Sequence, residues 1–277
     1  MSSITDSSKK LKPGSIVQFF ALTFGLTWGI ALLVIIFPQQ ITQIFGEFTD
    51  TNPLYILAVY SPAFAAVFLI FRYYGLRGLS SYFRRLTLFR LSSRWWLFLA
   101  LGIPLHFYLG AIIIGTVFEP FPFEPWYMVL PALLHMLLLG PVEEFGWRGL
   151  ALPLFQRRFS PLWSGLIIGA IWGVWHLPAF FIGGTVHYEW EFAAFFLGVI
   201  SLSVIMTALF NASRGSIIIA GLFHFQINNP IWPNAQPWDT ILFTITAVII
   251  VVLNRKKMLS AKDNDSVTGV LMPGEKE

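Results

Sequence analysis

Eight apolar runs separated by short polar breaks set the pattern of the chain: Ile16 to Phe37, Leu54 to Phe71, Trp95 to Phe118, Trp126 to Leu150, Leu162 to Ile182, Phe192 to Phe210, Ser216 to Ile231 and Trp238 to Leu253. The first six are long enough, or nearly so, to cross about 30 Å of hydrocarbon at about 1.5 Å per residue. The last two are shorter and carry Asn, His and Pro in or beside them. The pattern predicts an all-α polytopic membrane protein, a bundle of about eight transmembrane helices.

Between the second and third runs, Leu76, Leu79, Phe83, Leu86 and Phe89 recur near helical spacing, with Arg77, Arg84, Arg85 and Arg90 interleaved. This segment is expected to lie along the cytoplasmic interface as a lipid-anchoring basic loop without chemistry of its own. The start, 1–13, is polar and basic and lacks the small-residue cleavage site of a secretory signal, so the first run is expected to stay as a span. The tail, 259–277, is polar, contains Gly and Pro, and is expected to be disordered from Ala261 onward. Residues 14–258 read as a single membrane domain.

Composition agrees, since 56% of the 277 residues are hydrophobic and only 12% charged, about half the charge of soluble domains. Charge then orients the spans. With the amino terminus in the cytoplasm, eight crossings put all 18 Lys and Arg on one side. The opposite loops hold Glu47, Asp50, Glu119, Glu124, Glu189, Glu191 and Asp239 and no basic residue. That is the positive-inside asymmetry, and it predicts that both termini are cytoplasmic. The net charge of +4 therefore reflects membrane orientation, and no nucleic-acid partner is expected. With no cysteine present, thiol nucleophiles, disulfides and cysteine metal ligands are excluded.

Ionisable side chains inside a span cost several kcal/mol unless they find partners, which marks them as functional candidates. Three clusters stand out. In Pro141-Val142-Glu143-Glu144-Phe145-Gly146-Trp147-Arg148, Glu144 and Arg148 stand four apart and can pair on a helix. Glu143 points about 100° away and is left free for proton chemistry. Trp172 and His176 share a face of an otherwise uncharged span, and His224 and Asn228 form another i, i+4 pair, with Asn229 adjacent. His106 and His135 have no acidic or amide companion at helical spacing and read as structural, while His187 is a loop residue.

Each cluster alone has a plain structural reading, because a Glu–Arg pair can pin helices and membrane His or Asn often hydrogen-bonds across them. Together their types complement one another. Amide hydrolysis needs a base to deprotonate water and donors to hold the tetrahedral oxyanion; Glu143 with His176 suits the first task, His224 with Asn228 the second. Intramembrane Glu, Arg and His also mark proton-coupled transporters, although no related halves are visible in the sequence. A non-catalytic membrane scaffold or immunity protein is the other alternative.

The order Glu-Glu-x-x-x-Arg, aromatic-x-x-x-His and His-x-x-x-Asn, each on its own span, resembles the family of CAAX proteases and bacteriocin-processing enzymes, also called abortive infection proteins. The family includes the type II CAAX prenyl endopeptidases. The resemblance is close from Pro141 to Asn228 and implies an intramembrane endopeptidase in an intramembrane cavity, in a bacterial plasma membrane. It further implies that Glu143 and His176 activate the attacking water, Glu144 and Arg148 shape the site, and His224 and Asn228 form the oxyanion hole. Its expected partners are the bilayer and a peptide or protein substrate, prenylated or otherwise membrane-associated, cleaved near the cytoplasmic face. Trp172 departs from the family's usual phenylalanine and is expected to narrow the cleft. The family leaves metal dependence open. Should a divalent metal such as zinc bind, Glu143, His176 and His224 are its expected ligands, although they come from three helices and lack His-Glu-x-x-His spacing.

Overall fold

The structure is a computed structural model that describes Leu11 and residues 14–260. Apart from Leu11, the expected amino-terminal segment 1–13 and the tail beyond Ser260 lie outside the described residues. The helices in chain order are α1 (Ser15–Ile36), α2 (Pro53–Val59), α3 (Ser61–Phe83), α4 (Ser93–Ile114), α5 (Trp126–Gln156), α6 (Pro161–Phe181), α7 (Phe192–Ala212), α8 (Ile217–Ile227) and α9 (Trp238–Leu253), with short helical turns between some of them. No strand occurs among the described residues.

Each apolar run has thus become a helix. α1, α4, α5, α6 and α7 are long and apolar enough to cross a membrane, and α2 with α3 makes a sixth candidate span bent by 54°. The bend has a local cause, because Pro62 sits at the start of α3 and offers no amide to the turn before it. α8 and α9 are shorter apolar helices. Leu101, Ile112, Leu130, Val248 and Val252 are each more than half exposed on the outside of the bundle. A belt of this kind is stable in lipid and not in water, so the chain is an integral, multi-pass membrane protein.

Between lipid-coated helices, association rests on close packing and hydrogen bonds. α6 and α7 meet along Gly165, Gly169 and Gly173; a methyl group on Gly169 would stand 2.7 Å from the Ile200 Cα. Ser203 Oγ donates to the Gly165 carbonyl at 2.8 Å across the same seam. Gln156 and Asn211 exchange two amide hydrogen bonds, at 3.1 and 2.7 Å.

The arginine-rich segment corrects the sequence reading in part. α3 runs on to Phe83, past a left-handed Gly75 (φ 64°), and is followed by a tight turn over Arg84–Thr87. Leu76 and Phe89 are exposed as expected of an interfacial segment, but Arg85 is buried. Its Nε donates to the Gly215 carbonyl at 2.8 Å and its guanidinium to the Gly149 carbonyl at 2.6 Å. The Tyr82 hydroxyl donates to the Phe145 carbonyl. The hydrophobic pattern could not single out Arg85 because its partners are backbone carbonyls some 65 and 130 residues away.

Candidate active site

The site begins at an interruption in α5. The α-helix from Val129 stops at Leu139, and Gly140-Pro141-Val142 turn before helix resumes at Glu143–Gly146. A wider π-helical turn follows over Trp147–Ala151. Pro141 cannot donate into the helix, and π-helical turns displace backbone groups from the regular ladder. The carbonyls of Phe145 and Gly149 are the ones taken by Tyr82 and Arg85. These partners hold the irregular backbone that carries Glu143, Glu144 and Arg148.

The two carboxylates have separate surroundings. Glu143 Oε2 accepts from Trp172 Nε1 at 2.8 Å and from Trp147 Nε1 at 3.3 Å, which leaves Oε1 without a donor among the described residues. Trp147 is the i+4 neighbour of Glu143, so this donor was readable in the motif and was missed. Trp172 does more than narrow a cleft, since its indole N–H makes a hydrogen bond that a phenylalanine has no group to make. Its ring also lies 4.7 Å from the Arg148 guanidinium.

Glu144 is fully buried and shared. Its carboxylate stands 3.1 Å from Arg148 Nη1, the pair expected from the spacing, and its Oε1 accepts from His224 Nδ1 at 2.8 Å. The second contact was not legible, because 80 residues separate the partners. With Nδ1 committed, Nε2 is the His224 nitrogen available to the cavity.

His176 closes the α-helical part of α6 and places Nδ1 2.8 Å from the Trp172 carbonyl. A carbonyl only accepts, so Nδ1 carries the proton and Nε2 presents a lone pair. The ring of His187 lies 5.3 Å away. Sequence reasoning left His187 in a loop, which is correct, but the turn Val186–Glu189 folds that loop back over the site. Burial lowers the His187 imidazole to about 4, so it is neutral at physiological pH.

Asn228 caps α8, and its side chain is exposed with no hydrogen bond to other described residues. Gly140 faces it. A methyl group there would overlap the Asn228 amide nitrogen and stand 3.1 Å from His224 Nε2, so the break in α5 needs a residue without Cβ.

Glu143, Trp172, His176, His224 and Asn228 all line one cavity of about 910 Å³, with Gly140 and His187. Glu144 and Arg148 do not line it; they stand behind the wall, where they orient His224 and Trp172. The cavity reaches the loops around Asp50, Glu189 and Asp239, which belong to the acidic face of the bundle. α8, at 11 residues, spans only about 16 Å and leaves that half of the bundle open.

Asn229 is buried and donates to the Gln226 carboxamide at 3.1 Å. His106 stacks on Phe243 and bonds Thr246 Oγ1 at 2.7 Å, a structural pin between α4 and α9. His135 stands 3.2 Å from Asp50, an acidic companion from another element that helical spacing could not reveal. Among the described residues, no three His, Asp or Glu side chains gather as ligands for a metal ion. Glu143, His176 and His224 do not form such a group.

Comparison with known proteins bears on the same stretch. Residues 125–229 match the family model described as "Type II CAAX prenyl endopeptidase Rce1-like". This motif-bearing stretch is similar to that family. Over 145 residues the chain is also 35% identical to "CAAX prenyl protease 2" of Methanococcus maripaludis, a match covering 48% of this chain and 53% of the relative. The chain thus spans about half the length of the curated relative it matches. The matched stretch contains the α5 break, all of α6 and α7, and α8 with Asn228 and Asn229 beyond it; these supply much of the cavity wall, and α1, α2, α4 and α9 with their loops supply the rest.

Proposed function

We propose that the chain is an intramembrane endopeptidase that hydrolyses a peptide bond of a membrane-associated substrate. The observation that carries this reading is the Glu143 carboxylate, fixed by two indoles through one oxygen, at the wall of a cavity it shares with His176, His224 and Asn228. In this mechanism a water in the cavity loses a proton to Glu143 Oε1, oriented by the lone pair of His176 Nε2, and its oxygen attacks the scissile carbonyl carbon. The oxyanion is held by the Asn228 carboxamide N–H and by His224 Nε2–H. For His224 to donate there its ring carries both protons, and the Glu144 carboxylate balances that charge. Collapse of the intermediate breaks the C–N bond, and the proton on Glu143 passes to the leaving amine. Glu144 and Arg148 act as positioning residues.

The match to a protein named CAAX prenyl protease 2 makes prenylated carboxy-terminal peptides one candidate substrate class, and the largely apolar cavity walls suit a chain that carries a lipid. The charge asymmetry supports a plasma-membrane orientation with both termini in the cytoplasm. The test is cleavage of a peptide library, with and without prenyl groups, by the protein reconstituted in liposomes, with and without a chelator. Defined products that persist in chelator are expected. Absence of any product from any peptide would overturn the reading, and loss on chelation restored by zinc would replace its metal-free chemistry.

A further inference from the structure

The cavity has one closed end and one open end. On the arginine- and lysine-rich side the Glu144–Arg148–His224 group rests on a packed floor. Trp147, Leu150, Phe210 and Phe223 are wholly buried there, and Arg85 ties the Gly149 and Gly215 carbonyls together beneath them. None of the basic-side connections, 84–92, 157–160, 211–216 or 254–260, contributes to the cavity wall. The walls at the other end come from three loops of the acidic face, around Asp50, from 185 to 191 and from 233 to 239. Four carboxylates line that end, those of Asp50, Glu189, Glu191 and Asp239, and no Lys or Arg among the described residues lines any part of the cavity.

We infer that the cavity is loaded from the face opposite the basic one, by a polypeptide segment that is exposed on that face and bears cationic residues beside the bond to be cut. The inference rests on the endopeptidase reading for what happens to that segment, and on geometry alone for where it enters and what charge it carries. A segment entering from the basic side meets the packed floor. One entering from the acidic side passes carboxylates before reaching Glu143, His176 and Asn228, and the negative potential at such a mouth concentrates cations and repels anions. The Asp50 carboxylate has His135 as a neighbour at 3.2 Å, and Asp239 accepts from the Thr240 amide at 2.7 Å. Glu189 and Glu191 are exposed, and their carboxylates make no hydrogen bond or ion pair with other described residues, so they carry most of the selection.

The absence of cysteine from the sequence makes a direct test possible. Ala194 lines the cavity behind the acidic mouth, Glu189 and Asn234 line the mouth itself, and Arg158 is exposed on the basic side. Single variants Ala194→Cys, Glu189→Cys, Asn234→Cys and Arg158→Cys are expressed in intact cells and treated with membrane-impermeant thiol reagents of similar size, one cationic and one anionic. The mouth and cavity variants are expected to react from outside the cell, and Arg158→Cys only after permeabilisation. At Ala194→Cys the cationic reagent is expected to react about tenfold faster than the anionic one. Glu189→Gln with Glu191→Gln, or high salt, brings the ratio toward one. Labelling of the cavity only after permeabilisation, or equal rates for the two reagents, overturns the inference. Neither readout depends on catalysis, so an inactive protein that labels as expected would sink the endopeptidase reading and leave this one standing.

Discussion

Glu144 and His224, 80 residues apart in sequence, meet at 2.8 Å in a fully buried contact that also engages Arg148. One carboxylate thus answers two partners. Removing it leaves Arg148 buried without a counter-charge, a change that costs about 3–5 kcal/mol when one member of a buried pair is deleted. Glu144→Gln is expected to lower the melting temperature in detergent sharply, while the double variant Glu144→Gln, Arg148→Met recovers part of the loss. Additive losses in a double-mutant cycle would mean that the pair is not coupled.

Trp172 joins the two halves of the site, through its N–H to Glu143 and its ring face to Arg148. Trp172→Phe keeps a ring and deletes the donor. A hydrogen bond to a charged acceptor contributes about 1.5–3 kcal/mol, so kcat/KM is expected to fall by roughly 10- to 100-fold with little change in melting temperature. Unchanged kcat/KM would show that the indole acts only as packing.

His187 gives the protein an acid-sensitive element. Its imidazole titrates at about 4 in the folded protein against an ordinary value near 6.5, because burial disfavours the charged ring. Below about pH 6.5 the unfolded chain binds a proton that the folded one refuses, so stability falls as the pH drops toward 4, by up to about 3 kcal/mol; above 6.5 the group contributes no slope. His187→Phe is expected to flatten the melting-temperature profile between pH 4 and 6.5. A variant profile as steep as that of the wild type would contradict this.

Arg85 bridges two carbonyls with separate nitrogens, at 2.8 and 2.6 Å. A lysine ammonium lacks the fork that reaches both, so Arg85→Lys and Arg85→Met are expected to destabilise alike, by about 1–3 kcal/mol for each carbonyl left unpaired. Full stability of Arg85→Lys in thermal unfolding would show that charge alone is needed.

The spans were legible because lipid imposes one rule along the whole chain: apolar runs become helices, and all eight did. The Glu144–Arg148 pair was legible because both partners lie on one turn of helix. Contacts between distant helices were hidden for the converse reason. The Glu144–His224, Arg85–Gly215 and His135–Asp50 partnerships depend on how helices pack, and periodicity within a segment carries no trace of that. His187 was hidden because a histidine in a polar loop gives no sign that the loop folds inward. Gly140 was readable only in part: Gly-Pro signals a break, but the need for a missing Cβ arises from Asn228 and His224 on another helix.

Cleavage by Glu143→Gln tests most directly whether Glu143 is the base that activates water. The substitution keeps the shape of the side chain and an oxygen to accept from Trp172 and Trp147, and it removes the base. A fall in kcat of about 10²- to 10⁴-fold is expected, with the melting temperature and cavity labelling unchanged. A Glu143→Gln protein that folds normally and cleaves at a rate near that of the wild type would contradict it.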